Sequence, residues 1–161
     1  MRFFLHKASQ TLTLAHEIAE AIRFSHMFFP ILFQGPLGTG KTTFVRGLVE
    51  TFPGGDQAEV SSPSFNLVNI YPTQPEIIHM DLYRISQTGL DECLLEYLNF
   101  TESLIMIEWI EYLPQNYWPE MYLKINLSFR HTGRECVLKP HGECVTHVIN
   151  LLQRQSSTYN L

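Results

Sequence analysis

The sequence predicts an α/β domain: a mostly parallel central sheet flanked by helices, with an antiparallel hairpin toward its C-terminal end. Three observations carry this expectation. Short runs at Pro30–Gln34 and Leu104–Ile107 are apolar on successive residues, the pattern of strands covered on both faces. Segments with helical spacing of apolar residues lie between and around them. Beyond residue 120, apolar and polar residues alternate, as in strands with one wetted face. Strand–helix alternation followed by a hairpin is the order of a mixed α/β sheet. The 161 residues suit one core, assigned to residues 1–153, with a polar flexible tail over residues 154–161.

Taken in order, Ser9 or Thr11 is placed to cap a first helix with the stripe Leu12, Ala15, Ala19 and Ile22. Pro30–Gln34 follows as a buried strand. A glycine-rich turn leads into a helix from Lys41 to about Phe52, and Gly54-Gly55-Asp56 reads as a loop. Phe65–Tyr71 and Ile77–Tyr83 read as strands, Asp91–Leu98 as a helix, and Leu104–Ile107 as a second central strand. Met121, Leu123, Ile125, Leu127 and Phe129 alternate with polar neighbours, so these five are expected to face inward. His131-Thr132-Gly133 supplies a turn, and Glu135–Lys139 the partner strand. Val145, Val148, Ile149 and Leu152 mark a closing helix.

With 45% apolar and 17% charged residues, the chain is neither disordered, collagen-like nor a disulfide-stapled miniprotein. No apolar run reaches the roughly 18–20 residues needed to cross a bilayer. The N-terminal Met-Arg-Phe-Phe-Leu is too short for a secretory leader, so a cytoplasmic protein without membrane attachment is expected. Eleven Lys and Arg against sixteen Asp and Glu give a net charge of −5, and the cations are scattered. Strong direct binding of nucleic acid is therefore not expected. Cys93, Cys136 and Cys144 read as reduced thiols. Cys136, His141, Cys144 and His147 have spacings that suit no zinc site.

The sharpest motif is Gly35-Pro36-Leu37-Gly38-Thr39-Gly40-Lys41-Thr42, a full match to G-x-x-x-x-G-K-[ST] between an apolar strand and a helix. Glycines let main-chain amides turn toward phosphate oxygens, and the helix N-terminus favours anions. Lys41 brings a full positive charge, and the Thr42 hydroxyl is placed to ligate magnesium. A nucleotide site follows. In such sheets the ligand lies beyond the carboxyl ends of the strands. The first acid after each buried strand, Glu108 after Leu104–Ile107 and Asp81 after Ile77–Met80, is then a metal candidate. Spacing does not rank the two. Trp109 could wall the site or pack in the core, and Arg84 could reach phosphate or make a surface ion pair. Ser61-Ser62-Pro63-Ser64 is a hydroxyl-rich stretch where phosphate-loop proteins place a switch segment.

These motifs together resemble the TsaE (YjeE) family of small bacterial ATPases that support threonylcarbamoyladenosine (t6A) modification of tRNA. The residues carrying the resemblance are Gly35 to Thr43, Ser62-Pro63-Ser64-Phe65 with Leu67-Val68 and Tyr71, His79-Met80-Asp81-Leu82-Tyr83-Arg84, and Ile107-Glu108-Trp109. The resemblance implies a P-loop NTPase fold, with ATP bound by Leu37, Gly38, Thr39, Gly40, Lys41, Thr42 and Thr43. It implies Mg2+ held through Thr42 and Glu108. Lys41, Asp81, Glu108, Trp109 and the switch residue Ser64 become functional residues, Thr11 a contact near the base, and Arg134 a C-terminal nucleotide contact. The implied partner is a TsaB–TsaD type heterodimer, the threonylcarbamoyl transferase complex, which ATP hydrolysis resets between rounds. Pro36 stands where the family usually has aspartate, Thr39 for alanine, Ser64 for threonine and Asn69 for glutamate. A small-molecule kinase or a nucleotide-sensing adaptor without turnover would share the loop. The kinase lacks support from any arginine-rich lid segment, and no N-K-x-D guanine-reading motif occurs.

Overall fold

The computed structural model describes residues 1–63, 66–85, 89, 92–98 and 102–156. Along the chain these form β1 (Arg2–Leu5), α1 (Ala8–Ser25), β2 (Ile31–Gln34), α2 (Lys41–Thr51), β3 (Val68–Tyr71) and β4 (Ile77–Asp81). Then follow α3 (Glu92–Tyr97), β5 (Leu104–Glu108), β6 (Tyr122–Arg130), β7 (Gly133–His141) and α4 (Glu143–Ser156). One sheet takes all seven strands in the order β1-β7-β6-β2-β5-β4-β3. Its centre is parallel, β6–β2–β5–β4, and both flanks are antiparallel.

Alternation along the central strands fills two cores. Ile31, Phe33, Ile77, Leu104, Met106, Leu123 and Ile125 point to one face, where α1, α2 and α4 bring Ile18, Ile22, Phe44, Leu48, Val145, Val148 and Ile149. Leu32, Ile78, Met80, Ile105 and Ile107 point to the other, under Leu82, Ile85, Leu94, Ile110 and Leu113. Full burial of one such side chain contributes about 1.5–3 kcal/mol. Gly47, inside α2, is the point of closest approach to α1: a Cβ there would stand 2.7 Å from the Ala15 Cβ and 3.0 Å from the Leu12 carbonyl oxygen.

The expected elements β2, α2, β5 and the β6–β7 hairpin are present, and Val145, Val148, Ile149 and Leu152 are buried in α4 as the helical spacing implied. Several details differ. The cap of α1 is Lys7, not Ser9 or Thr11, because Gln10 Oε1 reaches back to accept from the amides of His6 (2.7 Å) and Lys7 (3.2 Å). β1 was not foreseen; it has four residues and its partners in β7 are Arg134 to Val137, at the far end of the chain, so nothing local announces it. β3 begins at Val68, since Leu67 takes a left-handed φ of 65°, and β4 ends at Asp81. Met121 (49% exposed) and Phe129 (54%) are not core residues, although Leu123, Ile125 and Leu127 between them are. Met121 stands just before β6 and Phe129 next to its last residue, so the buried run of alternating residues is confined to the middle of the strand. α4 continues through Ser156, past the expected boundary. Ser64, Phe65, Asp91 and residues 157–161 lie outside the described residues. No helix among the described residues is long and apolar enough to cross a membrane.

Candidate nucleotide site

β2 ends at Gln34, and the next six residues wind into α2. Gly35 must be glycine: its φ is 148°, and a Cβ would lie 2.2 Å from the Leu127 carbonyl oxygen. Gly40 caps α2 at φ 99°, a left-handed conformation that lets the loop turn directly into the helix. Thr39 is buried, its hydroxyl donating to the Pro36 carbonyl at 2.8 Å. Pro36 cannot donate an amide, but its carbonyl therefore ties the loop closed.

Lys41 starts α2 with its side chain folded back into the loop. Its Nζ donates to the carbonyls of Gly35 (2.7 Å) and Pro36 (3.2 Å) and stands 3.7 Å from the centre of the Trp109 ring. Burial pushes the ammonium pKa below its ordinary value, and the negative charges of Glu108, Glu111 and Asp81 offset only part of that push. Trp109 holds its ring there from a left-handed backbone, φ 61°, a conformation costing a non-glycine residue about 1–3 kcal/mol. Tyr83 and Tyr112 pack on the same indole, with ring centres 4.9 and 6.0 Å away.

β4 and β5 are parallel neighbours, and their last residues, Asp81 and Glu108, are register partners. Both side chains are buried, yet they are engaged differently. Asp81 Oδ2 accepts from the Ser62 hydroxyl at 2.5 Å, and Oδ1 accepts from the Tyr83 amide at 3.0 Å. Glu108 Oε1 accepts twice, from the Thr42 hydroxyl (2.8 Å) and His79 Nε2 (3.0 Å), and Oε2 receives no hydrogen bond from the described residues. The two carboxylates, which spacing did not rank, thus differ in their contacts. Asp81 ties down the hydroxyl-rich segment, while Glu108 meets the first turn of α2.

One pocket of about 370 Å³ is lined by Leu37, Gly38, Gly40, Lys41, Thr42, Thr43, Ser62, Asp81, Tyr83, Glu108, Trp109 and Arg134. Most of the site residues expected from the sequence therefore converge. Arg134 arrives from β7, with Nη2 donating to the Gly38 carbonyl at 3.4 Å and Nε buried without a partner. Thr39 and Thr11 are buried but do not line the pocket; Thr11 sits in α1. Ser64 lies outside the described residues. Ser62, Tyr71, His79 and Tyr83 stand in the motifs that carry the family resemblance, but sequence reasoning gave none of them an individual role in the site. His79 carried a signal: a histidine in mid-strand between Ile78 and Met80 must be hydrogen-bonded to be buried there.

The donor set suits a magnesium nucleotide. Its free oxygens are hard carboxylate and hydroxyl groups, its cation reaches the loop, and the orphaned Arg134 Nε calls for an acceptor. Among the described residues no cluster of His, Cys, Asp and Glu forms a self-contained metal cage. An ion here would need oxygens from a bound ligand, as magnesium bound with phosphate does.

Comparison with known proteins gives the same direction. A solved structure, that of Bacillus subtilis YdiB, superimposes with a TM-score of 0.74 over 97% of this chain and 95% of its own at 21% identity, so the two share one fold; the phosphate-loop motif between β2 and α2 of a sheet with a parallel centre makes that fold a P-loop NTPase fold. The tRNA threonylcarbamoyladenosine biosynthesis protein TsaE of Aquifex aeolicus is 37% identical over 108 residues, covering 66% of this chain and 74% of the relative. Its namesake from Nostoc sp. is 29% identical over 154 residues, covering 92% and 91%. Residues 5–136 match the family described as threonylcarbamoyl adenosine biosynthesis protein TsaE, and the chain belongs to that family, whose work is t6A biosynthesis on tRNA.

Proposed function

We propose that this member of the TsaE family binds ATP with Mg2+ in the loop pocket and hydrolyses it to ADP and phosphate. Hydrolysis then resets a TsaB–TsaD type transferase heterodimer between rounds of tRNA modification in the cytoplasm. The observation that carries the reading is the contact of Thr42 with Glu108 in a pocket floored by Lys41 and the loop. Loop amides from Leu37 to Thr43 bind the phosphates, with Arg134 a further nucleotide contact. Lys41 exchanges its two loop carbonyls for phosphate oxygens, gaining charge-assisted bonds in place of neutral ones. Trp109 shields that ammonium from water and orients it.

Thr42 and Glu108 hold the magnesium, which when bound neutralises charge developing on the transferred phosphoryl group. Asp81 keeps Ser62, and with it the segment leading to Ser64, against the pocket. Thr39 retains its bond to Pro36 when Lys41 moves away, so the loop does not open. Thr11, buried in α1 and not among the residues lining the pocket, is the contact near the base that the family resemblance implies.

The deciding experiment is t6A formation on tRNA reconstituted from the transferase heterodimer, with and without this chain. Repeated turnovers that need the chain and ATP are expected. Equal turnover numbers without it would overturn the proposed role. ADP release with no added small-molecule acceptor separates this reading from a kinase, and release above background separates it from a non-hydrolysing adaptor.

A further inference from the structure

His79 lies in the middle of β4 with no exposed surface, between the apolar Ile78 and Met80. An imidazole at such a position is tolerated when both nitrogens are satisfied. Nε2 is 3.0 Å from Glu108 Oε1 and Nδ1 is 3.2 Å from the Tyr71 hydroxyl. A carboxylate only accepts, so Nε2 carries hydrogen. In the neutral ring Nδ1 then accepts, and the Tyr71 hydroxyl donates to it. The Ser61 carbonyl lies 3.3 Å from that hydroxyl and accepts from Asn69 Nδ2 at 3.2 Å. A continuous path of contacts thus joins Ser61, Tyr71, His79, Glu108 and Thr42.

We propose that His79 is a positioning residue. It fixes Glu108 by donating to Oε1, so that Oε2 is presented for the cation, and the Tyr71 hydroxyl, donating to Nδ1, keeps the ring in the tautomer that bears hydrogen on Nε2. Ser62, in the hydroxyl-rich segment, bonds Asp81. The two carboxylates at the ends of β4 and β5 are therefore held differently, Asp81 by the hydroxyl-rich segment and Glu108 by a buried imidazole whose other nitrogen is met by Tyr71. Without its imidazole donor, Glu108 would retain Thr42 alone, the hydroxyl it shares the cation with in the proposed reading. Removing an outer partner of a metal-ligating group typically weakens metal binding about 10–100-fold.

The inference rests on the nucleotide-site reading, and its test separates the two. Mn2+ binding is followed by electron paramagnetic resonance in the presence of a non-hydrolysable ATP analogue, and analogue affinity is measured separately in chelator. His79→Leu is expected to weaken Mn2+ about tenfold or more. His79→Gln, which keeps an N–H donor near the position of Nε2, is expected to stay within about threefold of the parent. Analogue affinity in chelator is expected to be unchanged in both. Parental Mn2+ affinity in His79→Leu would overturn the proposal, as would equal losses in His79→Leu and His79→Gln, the signature of mere space filling. Should His79→Leu not fold, Tyr71→Phe, which removes the donor to Nδ1, decides: a loss of Mn2+ affinity supports the positioning role, and parental affinity overturns it. A parent protein that binds neither analogue nor Mn2+ would strike the nucleotide site itself.

Discussion

The carboxyl ends of β2, β4 and β5 and the antiparallel flank β6–β7–β1 belong to one sheet, but their interiors are built differently. The first region buries Lys41, Thr39, His79, Asp81 and Glu108, each held by specific hydrogen bonds. The flank buries Leu123, Ile125, Leu127, Cys136 and Leu138, with Glu135 as its buried charge, paired with Arg2 and Arg130. Apolar packing is non-directional and stabilises roughly in proportion to area, whereas a buried polar group costs free energy unless its partners are in place. The difference separates two jobs. The flank supplies stability, and the strand ends spend some of it on a prearranged polar pocket.

The comparison breaks most visibly through the flank. Leu138→Ala, at a residue 1% exposed, is expected to cost about 2–5 kcal/mol of unfolding free energy while leaving the nucleotide affinity of the folded protein unchanged. Urea unfolding beside calorimetric titration checks both halves. Glu108→Ala should do the converse, lowering ATP hydrolysis on the order of 10²–10³-fold with a smaller effect on nucleotide binding. Equal hydrolysis rates in variant and parent would remove Glu108 from the chemistry. Lys41→Ala removes charge-assisted contacts worth about 1.5–3 kcal/mol, so ATP should bind roughly ten- to over a hundredfold more weakly, as read by calorimetry.

The smallest effect sharpens the contrast from the apolar side. Burial pushes the Cys136 thiol from 9.0 up to about 12. The unfolded chain therefore loses this proton first, and the stability tied to the neutral thiol is intact below about pH 9 and declines as pH rises toward the folded value. Between about pH 8 and 10.5, the stability margin of the parent over Cys136→Ala should shrink by about 1–2 kcal/mol in urea titrations. A constant margin would mean that Cys136 is not held in an apolar setting.

Much of this was legible because it is local. The phosphate loop is contiguous, its flanking strand and helix have clear periodicity, and Asp81 and Glu108 each follow an apolar run directly. What stayed hidden depends on distant partners. β1 exists by pairing with β7, and Arg134, expected from the family resemblance and from no local pattern, enters the pocket because the β6–β7 hairpin brings it to Gly38. Phe129 fits the alternation of a buried face yet is exposed, since periodicity describes the strand and not the length of the layer covering it. The Tyr71–His79–Glu108 path crosses three strands, and pairing register, absent from any single segment, is what aligns it.

The central claim is that the main chain between Gly35 and Thr42 grips a triphosphate. Amide chemical shifts on titration with a non-hydrolysable ATP analogue and Mg2+ test it most directly. The largest changes are expected at Gly38, Gly40, Lys41 and Thr42, the loop's own amides, with Pro36 silent because it has none. Saturable shifts confined to another surface, with those four amides unmoved, would contradict it.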